Sequence, residues 1–235
     1  MTGVHDTAIT LPWMREGTTR LLDLVTTLDD TGLRAASGLP GWSRAHVVGH
    51  LARNAEALTR LATWARTGIE NPMYADPGQR ADEIEQSASL PAAELRRQLR
   101  ATADVLDTAL SSLTTAQWSA PVRSALGRRI PAAEIPWMRI REVWLHAADL
   151  TATPSLASMP DGALDLLLDD TTTTLSRKPD CLAVVVAPGD RDRTWRLQPD
   201  IPAADTITAP AAEIAGWLTG RLPGRPGWPP LPRWL

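Results

Sequence analysis

The chain has 235 residues, a single cysteine and a formal net charge of −3. An internal disulfide framework is therefore excluded, and the bulk charge does not favour nucleic-acid binding. The apolar runs are shorter than the roughly 18 residues of a membrane-spanning helix, and no signal peptide is visible at the N-terminus. We therefore expect a cytoplasmic protein that binds neither nucleic acid nor membrane. The oligomeric state is open, with a monomer as the simpler expectation.

The first part of the chain carries apolar residues at helical spacing in four segments, which predicts four long helices. These cover residues 10–33, 43–67, 80–113 and 136–150. Ser43 is a natural N-cap for the second helix, and Gly68 is expected to end it. Pro91 should break the third helix, because proline removes one backbone hydrogen bond and clashes with the preceding turn. Residues 128–136 are expected to be irregular. Four long helices with apolar faces predict a helical bundle.

The pattern changes after Pro154, where short β-branched runs replace the long helical repeats. The spacing predicts two helices and three strands. The helices cover residues 161–175 and 210–219, and the strands cover residues 181–187, 194–198 and 205–208. We therefore predict an α+β, mainly α protein, with a four-helix bundle over residues 1–153 and a smaller α/β domain over residues 154–235.

Three residues of the predicted helices, His50, Glu142 and His146, form a candidate zinc site. Glu142 and His146 are four residues apart, so they project from one helix face about one turn apart. Two imidazoles and a carboxylate are ordinary zinc ligands, and three protein ligands leave a position open, as in catalytic sites. His46 lies one turn before His50 and is an alternative or additional ligand. Either spacing alone is common on solvated helices, but apolar neighbours around all three residues favour an inward-facing site.

Several segments of the chain resemble the mycothiol-dependent maleylpyruvate isomerase family. The most specific of them are residues 41–58 (GWSRAHVVGHLARNAEAL), 80–85 (RADEIE), 141–149 (REVWLHAAD) and 210–221 (PAAEIAGWLTGR). The resemblance implies a DinB-like bundle in which the second and fourth helices meet around a zinc ion. It also implies that the ligands are His50, Glu142 and His146, with His46 as a neighbour, and that mycothiol is the thiol cosubstrate.

The same resemblance implies that Arg80 and Arg221 are cationic groups near the substrate. Their planar, permanently charged side chains suit a dicarboxylate, which guanidinium groups bind in bidentate fashion. Each has a simpler structural interpretation: Arg80 near the start of the third helix, and Arg221 at the end of the last one. Cys181 is expected to be a buried, inert thiol rather than the nucleophile. Any reactive sulfur would then come from the cosubstrate.

Three classes of function remain open. The first is a zinc enzyme that uses mycothiol on a small-molecule substrate, as a cis–trans isomerase of an activated double bond such as that of maleylpyruvate, or as an S-transferase that releases a thiol conjugate. The second is a metal-dependent hydrolase, for which Asp149 and Glu56 are candidate general bases. The third is a non-catalytic module in which the metal is structural. The physiological substrate is not encoded in these motifs.

Overall fold

The structure is a computed structural model that describes residues 3–202 and 205–234, apart from the side chain of Pro77. The chain divides into two compact units, Met1–Thr151 and Ala152–Leu235. Among the described residues, no helix is both long enough and apolar enough to cross a membrane.

The first unit is built mainly of helices. They are α1 (Thr7–Thr27), α2 (Asp30–Arg34), α3 (Arg44–Thr67), α4 (Pro77–Ser89), α5 (Ala92–Ser111), α6 (Thr115–Trp118) and α7 (Ile135–Asp149), with a 3₁₀ turn at Ala132–Glu134 before α7. A two-stranded antiparallel hairpin, β1 (Pro121–Arg123) and β2 (Arg129–Pro131), lies between α6 and this turn.

Helix α3 begins and ends where the sequence predicted. The Ser43 side chain accepts a hydrogen bond from the backbone N–H of His46, and the His46 side chain in turn accepts from the backbone N–H of Ser43. This reciprocal capping box satisfies two backbone donors of the first turn. At the other end Gly68 adopts a φ of 74°, a left-handed conformation that costs glycine little because it has no Cβ.

The structure corrects two predicted boundaries. The first predicted helix, residues 10–33, is two helices, because Asp29 leaves helical geometry and its side chain caps α2 through the N–H of Gly32 at 2.6 Å. The region predicted to be irregular, residues 128–136, contains β2, the 3₁₀ turn and the start of α7. A strand of three residues is too short for alternation to be read from sequence. The predicted break at Pro91 is confirmed, since Pro91 separates α4 from α5.

The core of this unit lies around α3, which packs against α4, α5 and α7, while α1 packs against α7 and α5. Gly49 permits a close approach of α4 to α3, since a Cβ at this position would lie 2.7 Å from the Cβ of Ser87. The contact between α3 and α7 aligns the two helices that carry the predicted metal ligands. Buried leucines fill the space between α3 and α5: Leu51, Leu58, Leu61, Leu95, Leu99 and Leu106.

The second unit contains α8 (Asp161–Leu175), β3 (Val184–Val186), β4 (Trp195–Leu197), β5 (Asp205–Ile207) and α9 (Ala211–Leu218). The strand order is β4-β3-β5, with β4 antiparallel and β5 parallel to β3. Each predicted element is present, although the strands are shorter than the apolar runs that predicted them. Long helices with small sheets confirm the α+β, mainly α fold class.

Candidate metal centre

Helices α3 and α7 bring His50, Glu142 and His146 together. One potential ligand atom from each residue lies within 4.8 Å of the other two. The Oε2 atom of Glu142 lies 2.8 Å from Nε2 of His50 and 3.2 Å from Nε2 of His146. The two imidazole rings meet edge to face with their centroids 4.9 Å apart. His50 is 92 positions from Glu142 in the sequence, yet α3 and α7 present two nitrogens and one carboxylate oxygen to a common point.

Asp149 holds the His146 ring from the side opposite Glu142. Its Oδ2 atom lies 2.8 Å from Nδ1 of His146, and Asp149 is almost completely buried. A carboxylate accepts, so Nδ1 carries a proton, and Nε2 is the ring nitrogen that points toward the cluster. Carboxylate partners of this kind fix the orientation and tautomer of metal-binding histidines.

Two further groups contact His50. The Nη2 atom of Arg80, on α4, lies 3.3 Å from Nδ1 of His50. The Trp42 ring lies against the same imidazole at a centroid distance of 5.7 Å. Arg80 thus places a permanent positive charge beside one of the three residues, and Trp42 contributes an apolar surface to the same region.

The surroundings shift the pKa values of His50, His146 and Glu142 in different directions. Burial lowers the pKa of His50, although Glu142 opposes this effect. For His146 burial also acts to lower the pKa, but hydrogen bonds with Asp149 and Glu142 outweigh it, and the pKa is raised. Burial alone would raise the pKa of Glu142, yet the two histidines hold it well below its usual value. An ionised Glu142 and a neutral His50 are the forms that bind a metal cation.

The donor set fits zinc. Two histidine nitrogens and one carboxylate oxygen form one of the ligand sets of catalytic zinc sites, and the fourth position is then open to another molecule. The Asp149–His146 hydrogen bond supplies the outer support that such sites usually contain. Calcium and magnesium, in contrast, prefer all-oxygen ligand sets.

The structure places His46 outside the group of three. Its Nδ1 atom lies 2.6 Å from Oγ of Ser43 in the capping box, and its Nε2 atom lies 3.3 Å from Oε2 of Glu85. Its ring stacks on Trp42 with the centroids 6.2 Å apart. Both ring nitrogens therefore have other partners, which leaves His50 as the histidine of α3 that faces Glu142 and His146.

The two predicted arginines lie in different units. Arg80 belongs to the first unit and contacts His50, whereas Arg221 belongs to the second, just after α9. One hydrogen bond of Arg221 runs from Nη1 to the carbonyl oxygen of Thr219 at 2.9 Å, consistent with the helix-end interpretation. The role of Arg221 in a reaction stays a prediction.

The two candidate general bases already have partners. Asp149 is bound to His146, and Glu56 lies 3.0 Å from Nη1 of Arg53 on the same helix. Cys181 is buried in the second unit, and burial, with a smaller effect from Asp180, raises the pKa of its thiol. A raised pKa disfavours the reactive thiolate, in agreement with the expectation of an inert cysteine.

Glu142 affects the pKa of two residues that were not identified from the sequence, Arg139 and Tyr74. Arg139 is 1% exposed, and its Nη1 atom donates to the carbonyl oxygen of Leu51 and to Oδ1 of Asn54, both at 2.8 Å. Burial lowers its pKa to about 10, against the opposing effects of Glu142 and Tyr74. An arginine among the apolar residues of a predicted core helix was a signal that could have identified it. Tyr74 lies in a loop, where no periodicity draws attention to it.

Comparisons with known proteins agree with this architecture. A family model described as the mycothiol maleylpyruvate isomerase N-terminal domain matches residues 14–151. A crystal structure of a mycothiol-dependent maleylpyruvate isomerase is 33% identical, with a TM-score of 0.89 and complete coverage of both chains. A variant of such an enzyme with one histidine replaced by alanine is 32% identical, with a TM-score of 0.88 and the same coverage. No curated protein matches the chain.

Proposed function

Since the chain belongs to the mycothiol-dependent maleylpyruvate isomerase family, we propose that it is a zinc enzyme that uses mycothiol to isomerise an activated cis double bond, with maleylpyruvate as the model substrate. The same relationship identifies the chain as an enzyme of the isomerase type, rather than a non-catalytic module. The observation that carries the proposal is the cluster of His50, Glu142 and His146, with Asp149 orienting one histidine.

His50, Glu142 and His146 would hold the zinc ion. Zinc in such a site lowers the pKa of a thiol that binds to it, so that the reactive thiolate exists at neutral pH. Asp149 keeps the proton of His146 on Nδ1, so its Nε2 atom stays available as a ligand. Glu142, whose pKa is held low, stays ionised. The chain has a single cysteine, which is buried in the second unit, and this supports an external sulfur nucleophile.

The thiolate would add to the double-bond carbon β to the substrate carbonyl. The π electrons move to the carbonyl oxygen, giving an enolate, and the former double bond becomes a single bond that can rotate. When the carbonyl re-forms, the electrons return, the C–S bond breaks and the trans isomer leaves with the thiolate regenerated. No net proton transfer is needed, so the reaction requires groups that stabilise negative charge rather than a strong general base.

Arg80 supports an anionic substrate at this site. Its guanidinium lies 3.3 Å from His50, and a substrate that carries carboxylates would bring negative charge toward it. Guanidinium groups donate paired hydrogen bonds to carboxylates, and such charge-assisted bonds are stronger than neutral ones. A hydrolase is supported less well, because Asp149 is engaged by His146 and Glu56 by Arg53, so neither candidate base is poised to activate water.

The decisive experiment incubates zinc-loaded enzyme with mycothiol and maleylpyruvate and follows the vinylic proton coupling by NMR. Conversion of the cis to the trans coupling, with mycothiol regenerated, is the expected result. Controls omit the thiol or use Glu142→Ala, which removes a proposed ligand. Accumulation of a stable thiol conjugate, detected by mass spectrometry without double-bond isomerisation, would instead establish an S-transferase. Turnover without any thiol would exclude both.

A further inference from the structure

A polar contact joins α3 and α7 one turn away from the proposed metal ligands. On α7, Arg139 precedes Glu142 by three residues. On α3, Asn54 follows His50 by four residues. Residues at these spacings lie on one face of a helix, about one turn apart. Since Arg139 is 1% exposed and Asn54 is 5% exposed, the helix faces that carry the ligands continue into a buried polar pair.

One nitrogen of the Arg139 guanidinium makes this contact. Its Nη1 atom donates to Oδ1 of Asn54 and to the carbonyl oxygen of Leu51, both at 2.8 Å. Leu51 directly follows His50, so the backbone of α3 is held at the residue next to a proposed ligand. One turn back along α7 leads from Glu142 to Arg139, and one turn forward along α3 leads to Asn54. The ligand contact and the arginine contact therefore lie along one antiparallel interface, and the second fixes how α3 is aligned on α7.

The burial of Arg139 does not suit a purely stabilising role. Within the described part of the chain, its Nη2 atom is buried without a hydrogen-bond partner. Removing a guanidinium from water is costly, and an unsatisfied donor adds to that cost. Apolar residues of similar volume can often replace such a buried polar group without loss of stability. A buried polar contact can instead specify the alignment of two helices, as single polar residues do in coiled coils.

We infer that Arg139 is a positioning residue for the metal centre: by tying α3 to α7, it keeps His50 within reach of the two ligands on α7. This inference rests on the proposed zinc site and adds to it a residue that is not a ligand. Glu142 and His146 share α7, so helical geometry alone sets their spacing. The position of His50 depends on how the two helices align. Zinc–ligand bonds are only about 2.0–2.2 Å long, so a small shift of α3 would weaken binding.

The double variant Arg139→Met with Asn54→Leu tests the inference, because it replaces both side chains by apolar groups and leaves neither partner unpaired. Zinc affinity, measured by isothermal titration with a competing chelator, should fall about 10- to 100-fold, as it does when groups that support metal ligands are lost. The melting temperature of the metal-free protein should not fall, since a buried charge and an unsatisfied donor are removed together. A purely structural role predicts the opposite pattern.

Two further variants separate alignment from general packing. Arg139→Lys should lose less than about tenfold in zinc affinity, because one nitrogen makes both contacts and an ammonium has three donors. The control is Arg96→Met, since Arg96 also donates to a backbone carbonyl, that of Leu28 at 2.6 Å, but lies on α5, which carries no proposed ligand. It should bind zinc as the wild type does. At saturating cobalt(II), the visible absorption spectrum should change in the double variant and stay like that of the wild type in the other two.

Unchanged zinc affinity in the folded double variant overturns the assignment of Arg139 and leaves the proposed function intact. An equal loss of affinity in Arg96→Met also overturns it, since any weakened helix contact would then suffice. If the double variant does not fold, Asn54→Ala decides, because it removes one of the two acceptors; zinc affinity equal to that of the wild type overturns the inference. Wild-type protein that binds zinc but does not isomerise maleylpyruvate defeats the proposed function and leaves Arg139 as a positioning residue.

Discussion

The Nδ1 atom of His146 lies 2.8 Å from Oδ2 of Asp149, less than one turn further along the same helix. This hydrogen bond directs the other ring nitrogen toward Glu142, which lies one turn earlier on α7. About two turns of one helix therefore supply a carboxylate ligand candidate, a histidine ligand candidate and the group that orients the histidine.

Asp149→Asn should lower zinc affinity by about 10- to 100-fold, because the ring loses the partner that fixes its tautomer. Isothermal titration with a competing chelator measures the change. The control is Glu85→Gln, since the Glu85 carboxylate contacts a histidine that lies outside the group of three, His46, at 3.3 Å from its Nε2 atom. That variant should bind zinc as the wild type does. Equal affinities for Asp149→Asn and wild type would show that the orienting bond is dispensable.

Zinc content should be about one ion per chain, with three protein ligands. His50→Ala, Glu142→Ala and His146→Ala should each remove most of the metal, measured by inductively coupled plasma mass spectrometry after dialysis. His46→Ala should retain it, because both ring nitrogens of His46 already face Ser43 and Glu85. Retention in His50→Ala together with loss in His46→Ala would mean that the wrong histidine was chosen.

Zinc binding should weaken on acidification, beginning above pH 6.5, because the pKa of His146 is raised from an ordinary value of 6.5 and the proton competes with the metal. In the metal-free protein the same raised pKa stabilises the fold below pH 6.5, and this contribution is lost as the pH rises through the raised value. With four histidines in the chain, nitrogen-resolved NMR can follow each ring. His146 should titrate above His50, whose pKa is lowered; the reverse order would contradict the prediction.

Cys181→Ser should leave thiol-dependent turnover nearly unchanged. The residue is buried, its pKa is raised by burial, and the nucleophilic sulfur is proposed to come from mycothiol. Steady-state kinetics at saturating mycothiol test this directly, with circular dichroism as the check on folding. A folded but inactive variant would overturn the cosubstrate mechanism.

Arg221→Ala should lower kcat/KM if this residue binds a carboxylate of the substrate or of the thiol, as predicted from the sequence. Loss of a charge-assisted contact of this kind costs roughly 2–4 kcal/mol, or on the order of thirty- to a thousandfold. Arg221→Lys should restore part of the activity, since an ammonium lacks the planar fork of donors. Zinc content and melting temperature should change little.

The control for Arg221 is Arg225→Ala, four residues further along the chain. Arg225 pairs with Glu213 at 2.5 Å on an exposed surface, so its loss should leave the kinetics unaltered. Unchanged kinetics in a well-folded Arg221→Ala enzyme would mean that Arg221 has only a structural role at the end of α9.

The sequence by itself determined the helices and the candidate ligands. Apolar periodicity predicted the long helices, and local capping chemistry at Ser43, Gly68 and Pro91 predicted where they begin and end. The spacing of Glu142 and His146 predicted a shared helix face, because helical geometry places residues four apart on one side. Each of these signals depends only on residues that are close together in the sequence, so it can be recognised from the sequence alone.

The tertiary structure alone decided which groups surround the ligands. The spacing left His46 and His50 both open and only the family resemblance favoured His50, whereas the packing of α3 against α7 places His50 beside Glu142 and His146. The contact of Arg80 with His50 is made from α4, which approaches α3 closely at Gly49. Tyr74 lies in a loop and gave no periodic signal, and the position of Arg139 among apolar residues indicated burial but not its contacts with Leu51 and Asn54 of α3. Contacts between residues far apart in sequence depend on how whole helices pack, and no local pattern encodes that packing.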